Sequence, residues 1–109
     1  MKHPIRVTVD PDCALGYIEY REPSEHDGYL DIVREADGSI VEYGGDKEYD
    51  RQAPRVMVWL DDDDEIVAFE IISIDEPELV AVARDYARDN DLAFPDDIRA
   101  AASSRDPAA

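Results

Sequence analysis

Near the middle of the chain two apolar runs, RVMVWL at 55–60 and IVAFEIISI at 66–74, are joined by five consecutive acids, DDDDE at 61–65. They read as one hairpin with strands over 55–60 and 65–74. A two-residue turn at Asp62-Asp63 places Leu60 opposite Glu65, Val58 opposite Val67 and Val56 opposite Phe69. The other face then pairs Trp59 with Ile66, Met57 with Ala68 and Arg55 with Glu70. Both faces are largely apolar, and a strand of that kind sits centrally in a sheet and is covered twice. One cover is expected to be a helix, the other a second sheet layer or another subunit.

The residues before this hairpin also read as strands. Ile5, Val7 and Val9 alternate with Arg6, Thr8 and Asp10, the period of a half-buried strand. Asp10-Pro11-Asp12 makes a turn, and a second strand follows over 15–21. There Ile18 and Tyr20 share one face and Tyr17 and Glu19 the other, beside Arg6 and Thr8. After a polar connection at 22–28, a hairpin spans 29–43 around Asp37-Gly38, a strong turn signal. The stretch 44–54 is a loop without apolar period.

Beyond Ile74 the period becomes helical. Leu79, Val82, Ala83, Tyr86 and Ala87 form one stripe. Asp75 with Glu78 reads as a capping box, Pro77 is tolerated in the first turn, and Asn90 is the stop. Leu92 and Phe94 fold back on the core, and 95–102 form a short second helix with Ile98 and Ala101 inward. The expected fold class is therefore α+β: an antiparallel β-sheet of about six strands, in three hairpins, followed by a C-terminal α-helix and a short second helix. Residues 1–102 make a single domain and 103–109 a flexible tail.

Charge narrows the partners. Across 109 residues, 11 Lys+Arg stand against 28 Asp+Glu, a formal net charge of -17. Direct binding to a nucleic-acid backbone needs a basic stripe, and anionic membranes repel such a surface. No apolar run approaches the roughly 20 residues of a membrane span, and residues 1–10 lack the apolar core of a signal peptide. The expected setting is cytoplasmic. Arginine outnumbers lysine nine to two, a bias typical of GC-rich bacterial genomes. The small size and the mutual repulsion of the acids thin the stability margin, which favours a homo-oligomer, a dimer first.

VTVDPDCALGYIEY at 7–20 resembles the opening strand-turn-strand of the domain of unknown function 2283 family, and VMVWLDDDDEIVAFEIIS at 56–73 resembles its closing hairpin. Glu70 matches that family's glutamate and Tyr17 its tyrosine after the first turn. Asp64 and Ala68 stand where glycines are common, and Ala14 where an acid is common. The resemblance implies a compact, β-rich bacterial protein, and for some members a partnership with small toxin-like proteins. The segment 29–54 and the helical end are additions to that minimal domain.

Chemistry-bearing side chains are few. Glu70 lies among Phe69, Ile71 and Ile72, on the face of Met57, Trp59 and Ile66. Desolvation there raises a carboxylate's pKa and suits it to acid–base work, whereas pairing with Arg55 lowers it. Tyr17 and Glu19 offer a phenol and a carboxylate to orient a carbonyl compound. His26, between Glu25 and Asp27, is a second acid–base candidate, while His3 is near a terminus. The acids at 61–65 lack the spaced oxygen pattern of a calcium loop and read as a solvated turn. Cys13 has no cationic neighbour to activate it. Gly44-Gly45 lacks the context of a phosphate loop, and no Ser–His–acid order is present.

Two functions are compatible with these residues. The first is a small enzyme needing no cofactor and no metal, a cyclase, isomerase or dehydratase acting on a small organic metabolite, with a bacterial biosynthetic pathway as its expected setting. Its catalytic candidates are Glu70, Tyr17, Arg55, His26 and Glu19, and its substrate pocket candidates are Trp59, Met57 and Ile72. The alternative is an acidic binding module, antitoxin-like or nucleic-acid-mimicking, that captures a basic protein partner.

Overall fold

The two-faced hairpin is the centre of the sheet. A computed structural model describes residues 1–10, 12–44 and 53–104. It contains strands β1 (Arg6–Asp10), β2 (Leu15–Glu19), β3 (Gly28–Arg34), β4 (Ile40–Gly44), β5 (Arg55–Leu60) and β6 (Ile66–Ile72), then helices α1 (Pro77–Asp89) and α2 (Ile98–Ser104). The strands form one antiparallel sheet in the order β1-β2-β6-β5-β3-β4. All three hairpins expected from the sequence are present, and the α+β layout is the expected one. The third hairpin is inserted between the first two, where its apolar faces are flanked on both edges. The loop read over 44–54 falls mainly on residues 45–52, outside the described residues. The short helix reaches residue 104, two positions into the stretch read as a tail.

One face of the sheet carries the core. Val7, Ile18, Phe69 and Val58 lie side by side across β1, β2, β6 and β5, with Ile71, Val56 and Ile32 in the next rank. Leu79, Ala83 and Ala87 of α1 and Ile98 of α2 close over them. Tyr20 is fully buried among these groups. Its ring meets Phe69 edge-on at 5.9 Å, and its hydroxyl donates to the Ala93 carbonyl at 2.7 Å. Each fully buried aliphatic or aromatic side chain is worth about 1.5–3 kcal/mol, against about 0–1 kcal/mol for an exposed ion pair. The helix-covered face therefore holds the fold. Gly16 lies on this face, opposite Ile71. A Cβ there would stand 2.7 Å from Cγ2 of Ile74 and 3.5 Å from Cγ2 of Ile98, so only glycine admits this close approach.

Two local expectations are corrected. The β5–β6 register is offset from the expected one: Arg55 faces Ile72, Met57 faces Glu70 and Trp59 faces Ala68, with a bulge at Trp59/Leu60. The turn is longer than two residues because Asp61 organises it. Its Oδ1 accepts from the Asp63 and Glu65 amides at 2.8 and 3.0 Å, and Asp64 turns left-handed at φ 61°. An Asp tolerates that conformation because its short polar side chain bonds locally.

The capping box at Asp75 and Glu78 does not form. Glu76 is the N-cap, extended at φ -97° and ψ 98°, and makes no side-chain cap bond. Pro77 explains this, since proline bars the residue before it from helical geometry and is itself suited to the first helical position. Asp75 instead meets Arg99 at 2.9 Å, and Glu76 meets Arg34 at 2.8 Å. Asn90 is the C-cap, as expected, and its Nδ2 donates to the Tyr86 carbonyl.

Candidate functional site

Among the described residues, no helix packs on the opposite face of the sheet. Because register partners share a face, its residues follow from the ladders. One rank runs Arg6, Glu19, Ala68, Trp59, Tyr29, and the next runs Thr8, Tyr17, Glu70, Met57, Asp31, Tyr43. A third runs Asp10, Leu15, Ile72, Arg55, Val33, Val41. Aromatic and apolar groups dominate, with four carboxylates, Asp10, Glu19, Glu70 and the buried Asp31, set among them.

The connection between β2 and β3 rises beside this face and makes a wall. It is tied locally: the Ser24 amide donates to Asp27 Oδ2 at 2.6 Å, and the Asp27 amide to the Ser24 carbonyl at 3.1 Å. Between wall and sheet lies a pocket of about 230 Å³, lined by Tyr17, Glu19, Pro23, Asp27, Trp59, Val67, Ala68 and Glu70. Its floor is Ala68, whose small side chain opens space beside Trp59 across the β5–β6 ladder. Trp59 also packs against Tyr29, with ring centroids 5.0 Å apart at 51°.

Electrostatics divide the acids of the pocket. Arg6 grips Glu19 through two hydrogen bonds, 3.0 Å from Nε and 2.6 Å from Nη2, and reaches Glu22 at 3.4 Å. These contacts hold the guanidinium's pKa further up. Glu70 has Tyr17 as its neighbour on one side and Met57 on the other. The Tyr17 phenol is pushed up to about 12, first by burial, then by the neighbouring Glu70 carboxylate and the negative charge of Glu19. At neutral pH Tyr17 is therefore a protonated phenol, a hydrogen-bond donor beside a carboxylate.

Of the residues singled out in the sequence, Glu70, Tyr17, Glu19 and Trp59 line this pocket together. Met57 stands directly beside Glu70 on the same face but outside the lining, and Ile72 and Arg55 lie one rank further. The register does not set Arg55 against Glu70. Arg55 faces Ile72, and its Nη1 donates to the Ala53 carbonyl at 3.4 Å. His26 is exposed on the connection, 3.8 Å from Glu25, and is not part of the lining. Pro23, Asp27, Val67 and Ala68 were not anticipated. Ala68 carried one faint signal, a small residue inside a run of bulky ones. Asp31 was not singled out either, and its burial became visible only once β3 was set between β4 and β5.

Among the described residues, no three His, Cys, Asp or Glu side chains are arranged to hold a metal ion, and no helix is long and apolar enough to cross a membrane. Comparison of the chain with protein-family models, curated proteins and solved structures gave no match.

Proposed function

We propose that this protein is a small cofactor-independent acid/base enzyme of the cyclase, isomerase or dehydratase type, acting on a small organic molecule. The observation that carries this reading is the Tyr17–Glu70 pair, a phenol and a carboxylate opposed across β2 and β6 inside an apolar-walled pocket. Its volume lies under the 300–1,000 Å³ or so of drug-sized sites, which suits a compact metabolite.

The chemistry follows from the two groups. Glu70 takes a proton from a carbon next to a carbonyl or similar electron-withdrawing group. Tyr17, on the neighbouring strand, donates its phenol proton in a hydrogen bond to the oxygen on which negative charge develops. The proton then returns from Glu70 to a different atom of the same molecule, so atoms balance without an oxidant or reductant. Trp59, Val67, Ala68 and Pro23 give the reacting atoms an apolar wall. Arg55 and His26 have no part in this mechanism, since neither lines the pocket.

The test is deuterium incorporation at carbon, followed by proton NMR in D2O, across a panel of small carbonyl compounds. At least one compound is expected to exchange faster than in buffer. Glu70→Gln should slow that exchange by about 10²–10⁴-fold, and Tyr17→Phe should slow it less. No acceleration across the panel, or exchange undiminished in Glu70→Gln, contradicts the proposal.

One observation favours a second reading, the acidic binding module. Asp62, Asp63, Asp64 and Glu65 are all exposed at the tip of the central hairpin, on a chain of net charge -17. That reading requires a salt-sensitive complex with a basic protein which Asp62→Asn/Asp63→Asn weakens and Glu70→Gln does not.

A further inference from the structure

We infer that the pocket between Tyr17, Glu70 and Trp59 selects a molecule carrying a protonated amine, seated with its ammonium between the Trp59 ring and the Glu70 carboxylate. This names the ligand class of the site proposed above and rests on that reading.

Three independent features point the same way. The first is the set of polar lining groups. Tyr17, Glu19, Asp27 and Glu70 are phenol or carboxylate, and no cationic side chain lines the pocket among the described residues. Of the guanidiniums on this face, Arg6 is committed to Glu19 and Glu22, which offsets Glu19, and Arg55 lies one rank beyond Glu70 with its Nη1 on the Ala53 carbonyl; neither lines the pocket beside Glu70 and Asp27. The second is the wall. An indole face is the best aromatic partner for a cation, and Trp59 flanks the pocket from the strand next to Glu70. The third is the field of the whole chain, whose net charge of -17 concentrates cations and repels anions.

The alternatives fit less well. A carboxylate or phosphate would be desolvated against Glu70 and Asp27 with no cation in the lining to meet it. A neutral molecule would use the apolar walls but gain nothing from the two carboxylates. An amine uses all three features.

Trp59 is the only tryptophan, so its fluorescence reports occupancy directly. The full chain is titrated with three probes of matched shape: 2-phenylethylamine as the cation, 2-phenylethanol as the neutral form and phenylacetate as the anion. The amine is expected to give a saturable change, with the alcohol weaker by about tenfold or more and the acid weaker still. Glu70→Gln should weaken the amine by about tenfold. Asp63→Asn, which changes the net charge equally, should leave it unaltered. Asp27→Asn tests the same selection from the connection, without touching the sheet, and should also weaken the amine.

Alcohol or acid binding as tightly as the amine overturns the inference and leaves the pocket reading standing. Equal weakening by Glu70→Gln and Asp63→Asn overturns it too, since the cation is then held by general surface charge. A saturable response to none of the three overturns it outright. Failure of the proton-transfer reading looks different: the amine binds with its Glu70 dependence, yet no carbon-bound hydrogen exchanges in any carbonyl compound.

Discussion

Tyr17 and Glu70 are direct register partners across β2 and β6, and both line the same pocket. Neither strand makes this pair alone. β2 belongs to the first hairpin and β6 to the third, so the phenol and the carboxylate come together only once the two hairpins have docked. Stability of the β2–β6 junction and integrity of the site are the same property in this fold.

The junction has a steric requirement that can be tested. Gly16→Ala places a methyl 2.7 Å from Cγ2 of Ile74, a branched side chain with little room to give, and 3.5 Å from Ile98. The variant is expected to lose about 1–3 kcal/mol of stability in urea unfolding. Gly44→Ala, where an added Cβ meets nothing within 4 Å, should stay within about 0.5 kcal/mol of the parent. Equal behaviour of the two variants would show that β2 does not need this close approach.

Acid sensitivity should be traceable to the central turn. The Asp61 carboxyl is held below the usual carboxylate range by the Glu65 amide first, then by the Asp63 amide and by Arg21. A carboxylate with a depressed folded-state pKa contributes stability above its unfolded value of about 3.9, and that contribution is lost as pH falls through the folded value. Asp61→Asn should therefore melt below the parent at neutral pH, with the gap in Tm closing below about pH 4. A gap that stays constant from neutral to acid pH would show that the charge of Asp61 has no part in holding the turn.

The faces of the sheet were legible in the sequence where strict alternation holds; at the bulge it does not, and Ile66, expected beside Trp59, joins the helix-side core while Val67 lines the pocket. The offset of the β5–β6 register is even over Arg55–Trp59, so Trp59, Met57 and Glu70 kept their common face although each partner changed. Exact pairing was not legible. It depends on the carboxylate of Asp61, the left-handed Asp64 and the bulge at Trp59/Leu60, none of which alternation encodes. Strand order was equally hidden: nothing local in 66–72 says that its second neighbour is β2, so Glu70 was matched to Arg55 and not to Tyr17. The pocket wall at Pro23 and Asp27 comes from an aperiodic stretch whose shape is set by short hydrogen bonds around Ser24. The capping box failed because a side-chain pattern was weighed above the backbone constraint of Pro77.

The most direct measurement of the central pairing is a 13C NMR titration of the Tyr17 Cζ in the parent and in Glu70→Gln. In the parent Tyr17 should remain mostly protonated near pH 11, where a free phenol of pKa about 10 is largely ionised, because burial and Glu70 together push it up to about 12. In Glu70→Gln it should ionise at distinctly lower pH, short of the free value because burial persists. A Tyr17 that is half-ionised near pH 10 in both proteins would contradict the account, for the phenol and the carboxylate would then not share the pocket as described.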